Sequence, residues 1–169
     1  MDIDAAGLIT LRKMGHPVGP KSPKELAAIV EKVHTAGCKF ILKGIMTVAD
    51  AEEAVTAGVD CIVVSNHGGR VMEYAPGTAR VLPAIARAVK GQVTIMVDGG
   101  VRSGADVFKM LALGADLVGI GRPIVWAAIG GGTEGVSKYI AQVKGELVQT
   151  MVLTGCKNIA AINEDVLFA

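Results

Sequence analysis

Four short aliphatic runs, each separated from the next by a helix-forming stretch, constrain this chain more than any other feature. They are Phe40-Ile41-Leu42, Cys61-Ile62-Val63-Val64, Val93-Thr94-Ile95-Met96-Val97 and Leu117-Val118-Gly119-Ile120. The runs are continuous rather than alternating and rich in β-branched residues, the pattern of parallel strands covered on both faces. Aliphatic side chains must build the core, because 51% of the 169 residues are hydrophobic and only 4% are aromatic. Four strand–helix units at this spacing predict an α/β fold, either a barrel or an open doubly wound sheet. No linker divides the chain, so residues 1–169 read as one domain.

The stretches between the runs carry helix signals. Ser22 caps the first helix, Pro23 suits its first position, and Glu25 completes a capping box. Leu26, Ile29, Val30 and Val33 then form one apolar face, and Gly37 ends it. Thr47 with Asp50 opens a second helix that stops at Gly58. Ser103 with Asp106 opens another, with Val107 and Leu111 facing inward and Gly114 as its stop. Between these two, a helix from about Arg80 to Val89 accommodates Pro83 only in its first turn. Val136, Tyr139, Ile140, Val143 and Leu147 mark a longer closing helix. A weak repeat supports the scheme: Ala36-Gly37-Cys38, Ala57-Gly58-Val59-Asp60 and Leu113-Gly114-Ala115-Asp116 each end a helix and lead into a strand.

Several classes of function are excluded. The net charge is +1 with Lys and Arg scattered, so there is no basic stripe for nucleic acid. No apolar run approaches the ~18 residues of a membrane span. The acidic start Met1-Asp2-Ile3-Asp4 is unlike a secretory signal, which predicts a soluble, cytoplasmic protein. Cys38, Cys61 and Cys156 lack ligand-like spacing to His16, His34 or His67, so no metal site is expected, and Cys61 reads as a small core residue.

Function in such folds gathers at the carboxyl ends of the strands. Here those ends hold Lys43-Gly44, Ser65-Asn66-His67-Gly68-Gly69-Arg70, Asp98-Gly99-Gly100-Val101-Arg102 and Gly121-Arg122-Pro123. Glycines let backbone N–H groups approach an anion, and Ser103 starts a helix directly afterwards. With Arg102 and Arg122, the last two strand ends predict a phosphate site. His67 follows an apolar strand and has Arg70 three residues on: a proton acceptor beside a fork for a carboxylate. His16 and His34 lack such company and read as structural. Lys43 is aimed at an anionic group in the pocket or, alternatively, forms a Schiff base.

At these residues the sequence resembles the FMN-dependent 2-hydroxy acid oxidases and dehydrogenases, a family that includes glycolate oxidase and lactate oxidase. Ile41-Leu42-Lys43-Gly44-Ile45, Ser65 to Arg70, Asp98 to Arg102 and Gly121-Arg122-Pro123 occur in the family's order, without gaps. Ser-Asn-His-Gly-Gly-Arg is the specific motif, whereas Val71-Met72-Glu73 departs from its familiar continuation, Gln-Leu-Asp. The resemblance implies oxidation of a small 2-hydroxy acid to a 2-oxo acid, with FMN as cofactor. It implies that Lys43 stabilises the reduced flavin at its N1/O2 edge, that Ser65 hydrogen-bonds the flavin, and that Asp98 binds the ribityl hydroxyls. Gly99, Gly100, Val101 and Arg102, with Gly121 and Arg122, would hold the phosphate end. His67 would be the catalytic base and Arg70 the holder of the substrate carboxylate. Asp2 or Asp4 would orient His67.

The four units and closing helix resemble the carboxyl-terminal half of a (β/α)8 TIM barrel, which in full takes about 250 residues. Met1 to Gly7 resembles the end of the family's fourth strand. Four strands cannot close, so an open inner face and unpaired edges are expected. That predicts a homo-oligomer, pairing with a chain that supplies the missing half, or a truncated product with impaired turnover. Two other readings stay open: a half-barrel that binds phosphate or flavin, or only associates, without turnover, and an isomerase- or aldolase-like barrel using the amine of Lys43.

Overall fold

The structure, a computed structural model, describes residues 1–4 and 9–168. Ala5, Ala6 and Gly7 of the strand-like amino-terminal motif lie outside the described residues. The elements run α1 (Ile9–Lys13), α2 (Pro23–Thr35), β1 (Ile41–Ile45), α3 (Val48–Thr56), β2 (Cys61–Val64), α4 (Thr78–Val89), β3 (Thr94–Val97), α5 (Gly104–Ala112), β4 (Leu117–Val118) and α6 (Arg122–Thr154). All strand pairs are parallel and the sheet order is β1-β2-β3-β4. A doubly wound sheet reverses its strand order at a switch point. This one never does, so the fold is a sector of a (β/α)8 barrel, four strand–helix units long.

The register puts Leu42, Ile62 and Ile95 side by side. With Val64 and Val97 they form the buried face, packed under Leu26, Val30, Leu82, Ile85 and Val89 of the helices. The opposite face is open: Ile41 at one side of the sheet is 48% exposed and Leu117 at the other 52%. The edge of β1 is not bare, however. The Lys43 N–H donates to the Met1 carbonyl and the Ile3 N–H to the Lys43 carbonyl, each at 2.8 Å. This pairing draws Lys43 into the strand, so β1 extends to Ile45 instead of ending at Leu42 as the apolar run suggests. Conversely, β3 starts at Thr94 and β4 stops at Val118, shorter than their apolar runs, because β4 has β3 as its only neighbour.

The helix starts follow their caps. Ser22 and Ser103 both form complete capping boxes, with Glu25 and Asp106, and Thr47 accepts from the Asp50 N–H. Two expectations are corrected. Helix α4 begins at Thr78, so Pro83 lies beyond the first turn. The helix forgoes one N–H bond there but buries Leu82, Ile85, Ala86 and Val89. Helix α5 buries Phe108 and Met110 most deeply, with Val107 and Leu111 only partly covered. It is sandwiched between the sheet and α6, so it has two apolar faces instead of one. Gly104 makes that sandwich possible, since a Cβ there would collide with the backbone of Val143 and Leu147 in α6. The closing helix starts at Arg122, well before Val136, and is interrupted at Gly132 (φ 56°, ψ −144°). Cys61 is buried, as expected of a core residue. Among the described residues, no helix is long and apolar enough to cross a membrane.

Candidate active site

A cavity of about 310 Å³ opens at the carboxyl ends of the strands, and every candidate residue except Ser65 lines it. Lys43 comes from β1, His67 and Arg70 from the turn after β2, Asp98, Gly99, Gly100, Val101 and Arg102 from the loop after β3, and Gly121 and Arg122 from the start of α6. Side chains separated by up to 79 positions in sequence (43 to 122) therefore converge because parallel strands point their carboxyl ends the same way. Ser65 sits behind the wall. It is fully buried, and its Oγ accepts the His67 N–H at 3.2 Å.

His67 opens a 3-10 turn with φ at +56°, a conformation that non-glycine residues seldom adopt. Its Nδ1 lies 3.2 Å from each Asp4 carboxylate oxygen, and both side chains are largely shielded. Asp4, not Asp2, thus orients the imidazole. Asp2 instead pairs with Lys43, Oδ1 to Nζ at 2.8 Å. Ligand atoms of Asp2, Asp4 and His67 lie within 4.8 Å of one another, a cluster that the histidine and cysteine spacing does not announce. Lys43 already supplies a cation to it. The Arg70 Nε donates to the His67 carbonyl at 3.0 Å, which leaves its terminal nitrogens for a ligand.

The far end of the cavity is cationic and partly unsatisfied. Thr78 Oγ1 donates to the Asp98 carbonyl at 2.7 Å, whereas Asp98 Oδ1 is buried with no partner. Asn66 Oδ1 is likewise unpartnered, although its Nδ2 donates to the Pro76 carbonyl at 3.2 Å. The Arg102 carbonyl accepts from the Tyr139 hydroxyl at 2.8 Å. Burial, with Glu146 and Asp106 nearby, pushes the Tyr139 phenol above its ordinary range and so keeps that donor protonated. Arg122 Nη2 reaches the Gly68 carbonyl at 3.4 Å, tying the start of α6 to the His67 turn.

Sequence reasoning missed Gly119 and Trp126 in the lining. Trp126 carries a signal that could have found it, since it follows Arg122 by four residues and so shares its face of α6. His34 and His16 do not enter the cavity. His34 bonds Asp60 at the other end of the sheet, Nε2 to Oδ2 at 2.7 Å.

Comparison with known proteins agrees with this geometry. A family model described as FMN-dependent dehydrogenase matches residues 18–169. An L-lactate oxidase of Lactobacillus jensenii is 50% identical over 137 residues, covering 81% of this chain and 33% of that protein. A peroxisomal (S)-2-hydroxyacid oxidase of Arabidopsis thaliana is 50% identical over 126 residues, covering 75% and 35%. Among solved structures, a mandelate oxidase variant with (S)-mandelic acid superposes with a TM-score of 0.79 at 41% identity, covering 86% of this chain and 42% of that one. A second variant, with a monooxide FMN adduct, gives 0.79 at 40% identity, covering 87% and 46%. The chain spans about a third of the length of the curated relatives it matches. On the strength of the matched residues and the shared fold, it belongs to the FMN-dependent dehydrogenase family.

Proposed function

We propose that this chain carries the base, the carboxylate anchor and the phosphate cradle of an FMN-dependent oxidoreductase that converts a small 2-hydroxy acid to its 2-oxo acid. The observation that carries the reading is the Asp4–His67 pair, set in one cavity with Lys43, Arg70, Arg102 and Arg122.

The residues present fit FMN. A buried carboxylate oxygen with no partner is costly, and Asp98 Oδ1 is one; a polyhydroxylated ribityl chain supplies donors for it. Gly99, Gly100 and Gly121 with Arg102 and Arg122 suit the phosphate, and Lys43 is a fixed charge for the flavin edge. Ser65 contributes by holding the His67 N–H. When bound, FMN supplies the acceptor for the two electrons the substrate gives up.

This chain's own residues do the rest. Asp4 accepts the Nδ1–H of His67, which leaves Nε2 as the ring's proton acceptor. Nε2 takes the substrate hydroxyl proton, and the Asp4 carboxylate stabilises the imidazolium that results. Arg70 grips the substrate carboxylate through its free nitrogens, fixing the hydroxyl near Nε2. Lys43 is held by Asp2 as an ion pair, which suits a standing positive charge better than a Schiff-base amine. The open face between Ile41 and Leu117 is covered in our reading by a second copy or by a chain bearing the remaining barrel strands.

Titration with FMN, followed by anaerobic addition of L-lactate or glycolate, tests the proposal. Flavin binding with bleaching of its absorbance supports it. Binding without bleaching by any small 2-hydroxy acid would favour a flavin-binding half-barrel, and no binding at all would remove the cofactor assignment.

A further inference from the structure

Strand β1 loses its regular register against β2 between Lys43 and Ile45. The residue at the irregularity, Gly44, has φ at +102°. A Cβ built there would lie 2.9 Å from Asp4 Cγ, 3.0 Å from Asp4 N and 3.1 Å from Asp4 Cβ. Contacts that short force one side to move, and two of these atoms belong to the side chain that holds His67. The neighbouring residue, Lys43, is fixed on both flanks by hydrogen bonds to Met1 and Ile3, so β1 has little freedom to withdraw. Asp4 is the side that yields.

We infer that Gly44 is a positioning residue for the proton acceptor: its missing side chain makes the berth in which Asp4 aligns the His67 imidazole. The inference rests on the reading of His67 as the base and adds a residue to it. Asp4 sits 3.2 Å from Nδ1, at the outer limit of an N–H···O bond. A displacement of a few tenths of an ångström therefore breaks the contact that selects the Nδ1–H tautomer. Positive φ alone does not explain the glycine's place here. Gly37 has φ at +75° with nothing within 4 Å of its virtual Cβ, so it separates backbone strain from crowding.

The test is nitrogen-15 NMR of the His67 ring at alkaline pH, which reads the tautomer and which a purely structural defect elsewhere would not move. The variants are Gly44→Ala, Asp4→Gly, the pair together, and Gly37→Ala. Gly44→Ala should shift the ring nitrogens away from the Nδ1–H pattern as Asp4→Gly does, the double variant should add nothing, and Gly37→Ala should leave the ring unchanged. Wild-type ring shifts in Gly44→Ala, alongside shifted ones in Asp4→Gly, would overturn the role of Gly44 while sparing the base. Unshifted nitrogens in Asp4→Gly would overturn the Asp4–His67 pairing itself. Should Gly44→Ala not fold, the double variant decides: recovered folding supports crowding against Asp4, and continued failure refutes it.

Discussion

At the amino ends of the strands, Asp60 holds Lys39 Nζ and His34 Nε2 at 2.7 Å each and accepts the Phe40 N–H at 2.8 Å. At the carboxyl ends, Asp98 keeps a buried oxygen with no partner. Asp116 repeats the first pattern, with Lys90 at 2.7 Å and the Ile95 N–H at 2.9 Å. The repeated Gly-X-Asp thus places each carboxylate where it staples the neighbouring strand. One end of the sheet is closed on itself, and the other leaves its cations, carboxylates and strained backbone facing a cavity. Stability and function are drawn from the same residue types, separated by the length of a strand.

The comparison breaks first at His67. Replacing it with Ala should slow flavin reduction by about 10²–10⁴-fold, the usual scale for a positioned base. The thermal midpoint should not fall, because the change also relieves a positive φ. A variant that melts early but retains reduction would place His67 among the structural residues instead. Arg102→Ala should act on binding: losing one charge-assisted contact, about 1.5–3 kcal/mol, weakens FMN affinity roughly 10–100-fold. Trp126 provides the readout. It is the single tryptophan, is 58% exposed and lines the cavity, so its fluorescence should change as FMN binds. An unchanged affinity would mean that the phosphate lies elsewhere.

At the opposite end, Asp60→Ala should destabilise by about 1–3 kcal/mol, because it leaves the Phe40 N–H without its acceptor, while FMN affinity stays as it was. Lys39, then the Phe40 N–H and His34, hold the Asp60 carboxyl well below the ordinary carboxylate range. A depressed folded-state value means that the stabilisation is complete above the unfolded value near pH 4. It fades as the pH falls below that value toward the folded one. Urea melts of the wild type between pH 5 and 2 should therefore steepen downward more than those of Asp60→Asn. Parallel acid limbs would show that Asp60 contributes nothing to acid stability.

What could be read from the sequence divides by range. Caps at Ser22, Thr47 and Ser103 were legible because each joins residues three apart. The strand-end motifs were legible because parallel strands gather their carboxyl ends whatever the details of packing. The choice of Asp4 over Asp2 was not, since it depends on a pairing across 63 positions and on the alignment of Met1 to Ile3 along β1. The same pairing moved Lys43 from a loop into the strand. Pro83 was misplaced because local propensity forbids what the burial of α4 tolerates. Trp126 was overlooked because an exposed aromatic on a helix carries no sign of which cavity it borders.

The smallest effect separates two residues within the functional end. His67 and Tyr74 are the non-glycine residues with positive φ among those described, at 56° and 64°. Ser65 and Asp4 both bond His67, so its backbone conformation is enforced by neighbours that use it. Tyr74 is 97% exposed, and its hydroxyl makes no hydrogen bond among the described residues, so nothing comparable holds its strain in place. Glycine adopts this conformation freely but loses about 0.5–1 kcal/mol more in chain entropy on folding, against a left-handed cost of about 1–2 kcal/mol for other residues. Tyr74→Gly should accordingly raise stability by about 0.5–1 kcal/mol in a urea melt and leave FMN affinity alone. A clear loss of affinity or stability would mean that the Tyr74 ring is held by a ligand or a partner, and that its strain, like that of His67, belongs to the site.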